Sequence, residues 1–147
     1  MGSGNKEFEE DEKKTDRTYV IDASALYPLL LKLKSPAYVN LLRRIRVLDL
    51  TKYEIGNAAR YDKNLQSVPK MMELWGEVLE SIEEVRITSL AEVQKIAVKQ
   101  GITFYDAAYV HASMSLGTKL ITNDREILQK FPGQSINLLD YESINSI

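Results

Sequence analysis

The spacing of apolar positions changes along the chain, and its period sorts the sequence into strands and helices. The first β-rich run, Thr18-Tyr19-Val20-Ile21, ends at Asp22. From Ser24 to Lys34 the pattern is mostly apolar with a helical period, and Pro28 fits it only in a first turn. Ser35-Pro36 reads as an N-cap followed by proline at the first helical position, opening a helix to Arg44. Arg46 to Leu50 predicts a second strand, after which Thr51 opens a helix to Tyr61. Ser67-Val68-Pro69 starts the next helix, which runs to Glu80 with Met71, Leu74, Trp75, Val78 and Leu79 along one face. Val85 to Ile87 is a short strand, and Ser89 to Gln100 a helix stopped by Gly101. Thr103 to Leu116 is a further helix closed by Gly117, followed by a strand from Lys119 to Thr122. A short helix from Asp124 to Lys130 and a last strand from Ser135 to Leu138 complete the series. Strands separated by helical segments predict an α/β fold: a parallel sheet with helices on both faces.

Composition narrows the chemistry. At 147 residues the chain is one domain by length, large enough to bury a core without staples. Residues 1–17 are polar with Phe8 as their one aromatic, and are expected to form a disordered acidic tail before a folded domain over 18–147. There is no cysteine, which excludes thiol nucleophiles, Cys-ligated zinc, iron–sulfur clusters and disulfides. A single histidine, His111, excludes a paired-His metal site. Apolar runs such as Leu29-Leu30-Leu31 fall far short of the ~20 residues of a membrane span. No apolar leader segment is present, so the expected location is the cytoplasm. Neither a GxGxxG after the first strand nor a GxxxxGK[ST] occurs, which removes dinucleotide and P-loop readings.

The net charge of −2 gives no hint of a polyanionic partner, but its distribution does. Lys32 to Lys70 holds nine bases against three acids, whereas residues 71–147 hold six against eleven. Such a split can build one basic face on a near-neutral domain, or simply reflect solvated helices.

Ligands of parallel α/β sheets collect at the carboxyl ends of strands, so the polar residues just past each strand carry the most information. Asp22 ends the first strand, Glu54 lies in the helical turn after the second, and Asp124 follows the strand Lys119 to Thr122. Asp106 lies in the first turn of the helix opened by Thr103. Each also has a purely structural explanation. Thr51-x-x-Glu54 and Thr103-x-x-Asp106 fit capping boxes, Asp124 fits an N-cap, and Asp22 fits an Asx-turn. Taken together on one sheet edge, four ionised carboxylates repel, and helix N-termini compensate by at most ~2 kcal/mol each. A hard divalent cation, Mg²⁺ or Mn²⁺, is therefore the expected occupant, supporting metal-assisted attack of water on a phosphodiester.

These carboxylates lie in four blocks that resemble a PIN domain: Val20-Ile21-Asp22-Ala23-Ser24-Ala25-Leu26, Tyr53-Glu54-Ile55-Gly56-Asn57-Ala58, Thr103-Phe104-Tyr105-Asp106-Ala107-Ala108-Tyr109-Val110-His111-Ala112 and Leu120-Ile121-Thr122-Asn123-Asp124. The blocks keep that family's order and span Thr18 to about Glu142, and the similarity is to the VapC toxin branch of type II toxin–antitoxin modules. The resemblance implies a Rossmann-like sheet bearing a magnesium-dependent ribonuclease site. Asp22, Asp106 and Asp124 match the family's metal ligands, with Glu54 holding a metal-bound water or a second ion. Ser24 and Thr122 match hydroxyl positions beside the site, and Asn57 follows Glu54 by one helical turn. No acidic position departs from the pattern. The implied protein is an endoribonuclease, homodimeric and held inactive by a cognate antitoxin. Two alternatives stand beside it: a PIN nuclease of RNA processing without an antitoxin, and a non-catalytic PIN-like module binding RNA or protein. Lys52 and Arg60 are the expected RNA-groove residues, eight positions apart on the helix that carries Glu54. His111, about 140° around its helix from Asp106, points away from the metal, and Trp75 is expected in the core.

Overall fold

The computed structural model describes residues 17–33 and 36–145. The expected tail lies outside these residues except for Arg17, and so does the Ser35 cap. Five strands form one all-parallel sheet in the order β3-β2-β1-β4-β5. They are β1 (Tyr19–Ile21), β2 (Ile45–Val47), β3 (Glu83–Glu84), β4 (Leu120–Ile121) and β5 (Ser135–Ile136). Between and after them lie α1 (Ala23–Leu31), α2 (Pro36–Leu41), a 3₁₀ turn (Leu42–Arg44), α3 (Thr51–Arg60), α4 (Val68–Ser81), α5 (Leu90–Gln100), α6 (Phe104–Ser115), α7 (Arg125–Lys130) and α8 (Leu138–Ile144).

β1 sits at the centre, and all three of its side chains are buried, as a parallel strand covered on both faces requires. Its period of two splits the core. Tyr19 and Ile21 pack with α1, α3, Trp75 of α4 and α8, whereas Val20 packs with α5, α6 and α7. The sheet is thus doubly wound, the expected architecture. Strand order reverses between β1 and β4, which opens a crevice at their carboxyl ends. Gly101 and Gly117 close α5 and α6 with φ of 65° and 64°, conformations a side chain would strain.

Several sequence expectations are corrected. Pro28 lies within α1, past its first turn. The carbonyl its missing N–H would have bonded belongs to Ser24, and Asn123 Nδ2 donates to it at 3.4 Å instead. Thr51 does not cap α3: the N-cap is Leu50, without a side-chain bond. The third strand forms at Glu83–Glu84, where Arg46 and Val47 supply its register, while Val85 and Ile87 turn into the second core. Its acidic edge is held by the Arg46 Nε–Glu83 pair at 3.0 Å. The last strand stops at Ile136, because Asn137 accepts from the Asp140 amide at 2.8 Å and starts a helix that sequence patterning left out. That helix buries Leu138 and Tyr141, the latter edge-on to Tyr19 at 5.0 Å. Trp75 is in the core, edge-on to Tyr27 at 5.6 Å, but Leu74 of the same expected face is exposed. Among the described residues no helix is long and apolar enough to cross a membrane.

Candidate active site

The crevice at the β1–β4 switch is built around Asp22, which is 5% exposed. The residue caps α1: its Oδ1 accepts from the Ala25 amide at 3.3 Å and from Ser24 Oγ at 2.6 Å. Its Oδ2 accepts from Thr122 Oγ1 at the end of β4. Ser24, in the first turn of α1, and Thr122, just past β4, thus both donate to the Asp22 carboxylate. Their own oxygens lie 3.2 Å apart with both protons already given to Asp22. Burial pushes the Asp22 carboxyl up to about 6, against the lowering effect of these hydrogen bonds, and Asp106 pushes it further.

Glu54 is held by a chain of hydroxyls. Tyr109 Oη donates to Glu54 Oε1, so Thr51 Oγ1, 2.6 Å from that phenol, must donate to it. Thr51 Oγ1 in turn accepts from the Leu48 amide at 3.0 Å. The direction of the relay is thus fixed, and Thr51 turns inward to serve it in place of capping. Burial raises the Glu54 carboxyl, the Tyr109 bond opposes that rise, and Asp106 adds to it. Burial likewise drives the Tyr109 phenol far above its usual range, so it stays a donor. Sequence reasoning missed Tyr109 as a site residue. Its signal was a phenol three residues after Asp106, on a helix face otherwise lined with alanine and valine, where a buried hydroxyl needs a partner.

Asp106 and Asp124 combine the structural and functional readings. Thr103 Oγ1 accepts from the Asp106 amide at 3.1 Å, making Thr103 a true cap. Burial raises the Asp106 carboxyl, Asp124 raises it again, and the Thr103 hydroxyl offsets part of the rise. Asp124 caps α7, its Oδ1 accepting from the Ile127 amide at 3.0 Å, and its own amide donates to Thr122 Oγ1 at 3.0 Å. Asn123 completes the joint, its amide donating to Ser24 Oγ at 2.9 Å and its Oδ1 accepting from the Leu138 amide at 3.1 Å.

Asp106 is therefore the hub of a set of repelling carboxylates, felt by Asp22 and Glu54 and itself feeling Asp124. Among the described residues, no three Asp, Glu or His side chains stand close enough to cage an ion by themselves. The donors are all hard oxygens with uncompensated charge, which fits a small dication held by one or two carboxylates together with water and a phosphate.

Asn57 and Glu54 line one groove between α1 and α3. Lys52 lies across α3 from Glu54, about 160° around at 3.6 residues per turn, and lines another groove with Glu80 and Glu84. The structure does not bring Lys52 to the carboxylates. Arg60 is exposed, its guanidinium over the Tyr61 ring at 5.3 Å. His111 is half-buried with Nε2 3.4 Å from Ser115 Oγ, apart from the acidic set.

No family model matches the chain, but individual proteins do. Exonuclease VapC9 of Pyrobaculum aerophilum is 36% identical over 122 residues, covering 78% of this chain and 86% of its own length. Ribonuclease VapC3 of the same organism is 34% identical over 126 residues, covering 77% and 94%. The crystal structure of PAE2754 from Pyrobaculum aerophilum matches with a TM-score of 0.75 at 30% identity, over 89% of this chain and 96% of that one. The parallel, doubly wound sheet is the PIN fold that the four sequence blocks implied. With such identity across most of both partners, the chain belongs to the VapC family of nucleases.

Proposed function

We propose that the protein is a Mg²⁺- or Mn²⁺-dependent endoribonuclease in which the ion is held among Asp22, Asp106 and Asp124, one or two of them ligating it directly and the rest acting through water, and Glu54 acts on water. The supporting observation is the linked carboxylate set around Asp106, to which no basic side chain is paired among the described residues. When bound, the ion supplies Lewis acidity toward phosphate oxygens and acidifies water. Ser24, Thr122 and the Ala25 amide fix the Asp22 oxygens, so little reorganisation accompanies binding. Tyr109 occupies one Glu54 oxygen and leaves the other to accept a proton. Arg60 offers a phosphate contact on the Glu54 helix. A cognate antitoxin protein and a homodimer complete the reading, on the strength of the family.

Purified protein is expected to cut single-stranded RNA with Mg²⁺ or Mn²⁺ and to lose that activity in EDTA. One relative carries the name exonuclease, which favours end-directed cleavage as a second reading. A circular single-stranded RNA separates the two, since only an endonuclease opens it. Cleavage that persists undiminished in EDTA would overturn the metal mechanism.

Tyr109→Phe is expected to lower cleavage about 10- to 100-fold, the usual cost of losing a group that orients a site carboxylate. The ring and its packing remain, so the melting temperature is expected to stay within a few degrees. Steady-state kinetics beside thermal melts check the pair. Wild-type turnover in this variant would leave the Thr51–Tyr109–Glu54 relay without a catalytic role.

A further inference from the structure

The groove beside Glu54 has a lining that metal chemistry does not use. On α3, Glu54, Asn57 and Tyr61 recur at i, i+3 and i+7 and form one stripe. Opposite them α1 presents Ser24 and Tyr27, and the space between is about 390 Å³. Ser24 and Glu54 belong to both the groove and the acidic set, so the groove opens directly from the reacting centre. Resting on the nuclease reading, we propose that it is a nucleobase subsite: a base next to the scissile phosphate stacks on Tyr61 while the Asn57 amide reads its edge.

Three observations point to a base. Tyr61 is 69% exposed at the end of α3, which leaves a large aromatic surface without a core to serve. The Arg60 guanidinium lies over its ring at 5.3 Å, so one face is backed by a cation while a base can stack on the other. Asn57 is exposed and carries both donor and acceptor, the pair that a Watson–Crick edge matches. The far wall is already set: Tyr27 Oη donates to Asp62 Oδ2 at 2.5 Å, and its ring stands edge-on to Trp75. A rigid wall lowers the cost of ordering a flexible single strand.

The test uses short single-stranded RNA and the variants Tyr61→Ala, Tyr61→Phe and Asn57→Ala. Tyr61→Ala is expected to raise KM about tenfold, the effect of one lost base stack, with kcat within twofold. Tyr61→Phe keeps the ring and is expected to match wild type. Asn57→Ala is expected to flatten the preference among substrates differing in one flanking base. An abasic unit at the flanking position is expected to cost wild type at least about tenfold but Tyr61→Ala much less, because the stack is already lost there and only the Asn57 contact remains to be removed. Multiplying penalties, or an unchanged KM in Tyr61→Ala, would overturn the subsite; the latter is also the result if a protein partner occupies the groove. Binding of fluorescent RNA to Asp22→Asn protein in EDTA provides a readout apart from cleavage. If Tyr61→Ala weakens that binding about tenfold while wild type cuts no RNA, the nuclease reading fails and the subsite stands. If wild type cuts RNA and Tyr61 changes neither binding nor KM, the subsite fails alone.

Discussion

Asp22→Asn is expected to abolish RNA cleavage and, at the same time, to raise the melting temperature of the metal-free protein. Loss of activity follows from removing a charged oxygen donor to the ion, a contribution of several kcal/mol and thus at least about 100-fold in rate. The gain in stability follows from burial. The Asp22 carboxyl is raised from 3.8 to about 6, so the folded protein holds that proton more tightly than the unfolded chain. Its contribution is therefore fully present below the unfolded value and is lost as pH rises through about 6. By pH 7 the loss amounts to roughly 3 kcal/mol at 1.36 kcal/mol per unit, which an uncharged Asn avoids. For a domain of this size the gain is worth roughly 6–12 °C.

Asn fits the same hydrogen bonds. Its Oδ1 still accepts from Ser24 and the Ala25 amide, so the cap on α1 is kept. Its Nδ2 donates to Thr122 Oγ1, whose proton then turns toward Ser24 Oγ at 3.2 Å, a contact with no proton to share in the wild type. Melts in EDTA from pH 4 to pH 8 measure the effect. The two proteins are expected to converge near pH 4, to separate as pH rises toward 6, and to keep a constant gap above it. A variant that is less stable at pH 7 yet still active would make Asp22 a structural turn residue.

What the sequence disclosed, and what it hid, divides along physical lines. Strands buried on both faces, such as Tyr19–Ile21, stand out as short β-rich runs, and caps such as Ser89, Thr103 and Asp124 act through the residues that follow them. Those are local rules, and they placed every carboxylate of the candidate site on its element. Contacts between distant segments were not legible. Pro28 within α1 is tolerated because Asn123, far along the chain, takes the freed carbonyl. Thr51 leaves its capping role because Tyr109 arrives across the sheet to receive its proton. α8 was hidden because Ser135-Ile136-Asn137-Leu138 reads as a strand until Asn137 is seen capping Asp140. Lys52 was assigned to the Glu54 face from proximity in sequence, but two residues along a helix turn a side chain about 200° away.

The joint between β1 and β4 is where distant contacts matter most, and Thr122→Val is expected to break it. The hydroxyl of Thr122 is fully buried; it donates to Asp22 Oδ2 and accepts from the Asp124 amide at 3.0 Å. Valine keeps the shape but supplies neither function, a swap that is isosteric in outline and not in chemistry. It removes a hydrogen bond to a charged group, worth roughly 1.5–3 kcal/mol, and strands an amide at a further cost of about 1–3 kcal/mol. A net loss of about 3 kcal/mol is expected, a fall of roughly 6–12 °C in melting temperature. Cleavage is expected to drop about 10- to 100-fold, because Asp22 loses one of its two orienting hydroxyls. Thr122→Ser keeps the hydroxyl and is expected to stay within about 1 kcal/mol, which separates the bond from the methyl packing. The Asp22→Asn background supplies the decisive measurement. There a neutral amide bond replaces the charge-assisted one, so the Thr122→Val penalty is expected to shrink by about 1 kcal/mol, a coupling above the additivity limit of independent sites. Penalties that simply add in the double variant would mean that Thr122 serves the fold of β4 and not the orientation of Asp22.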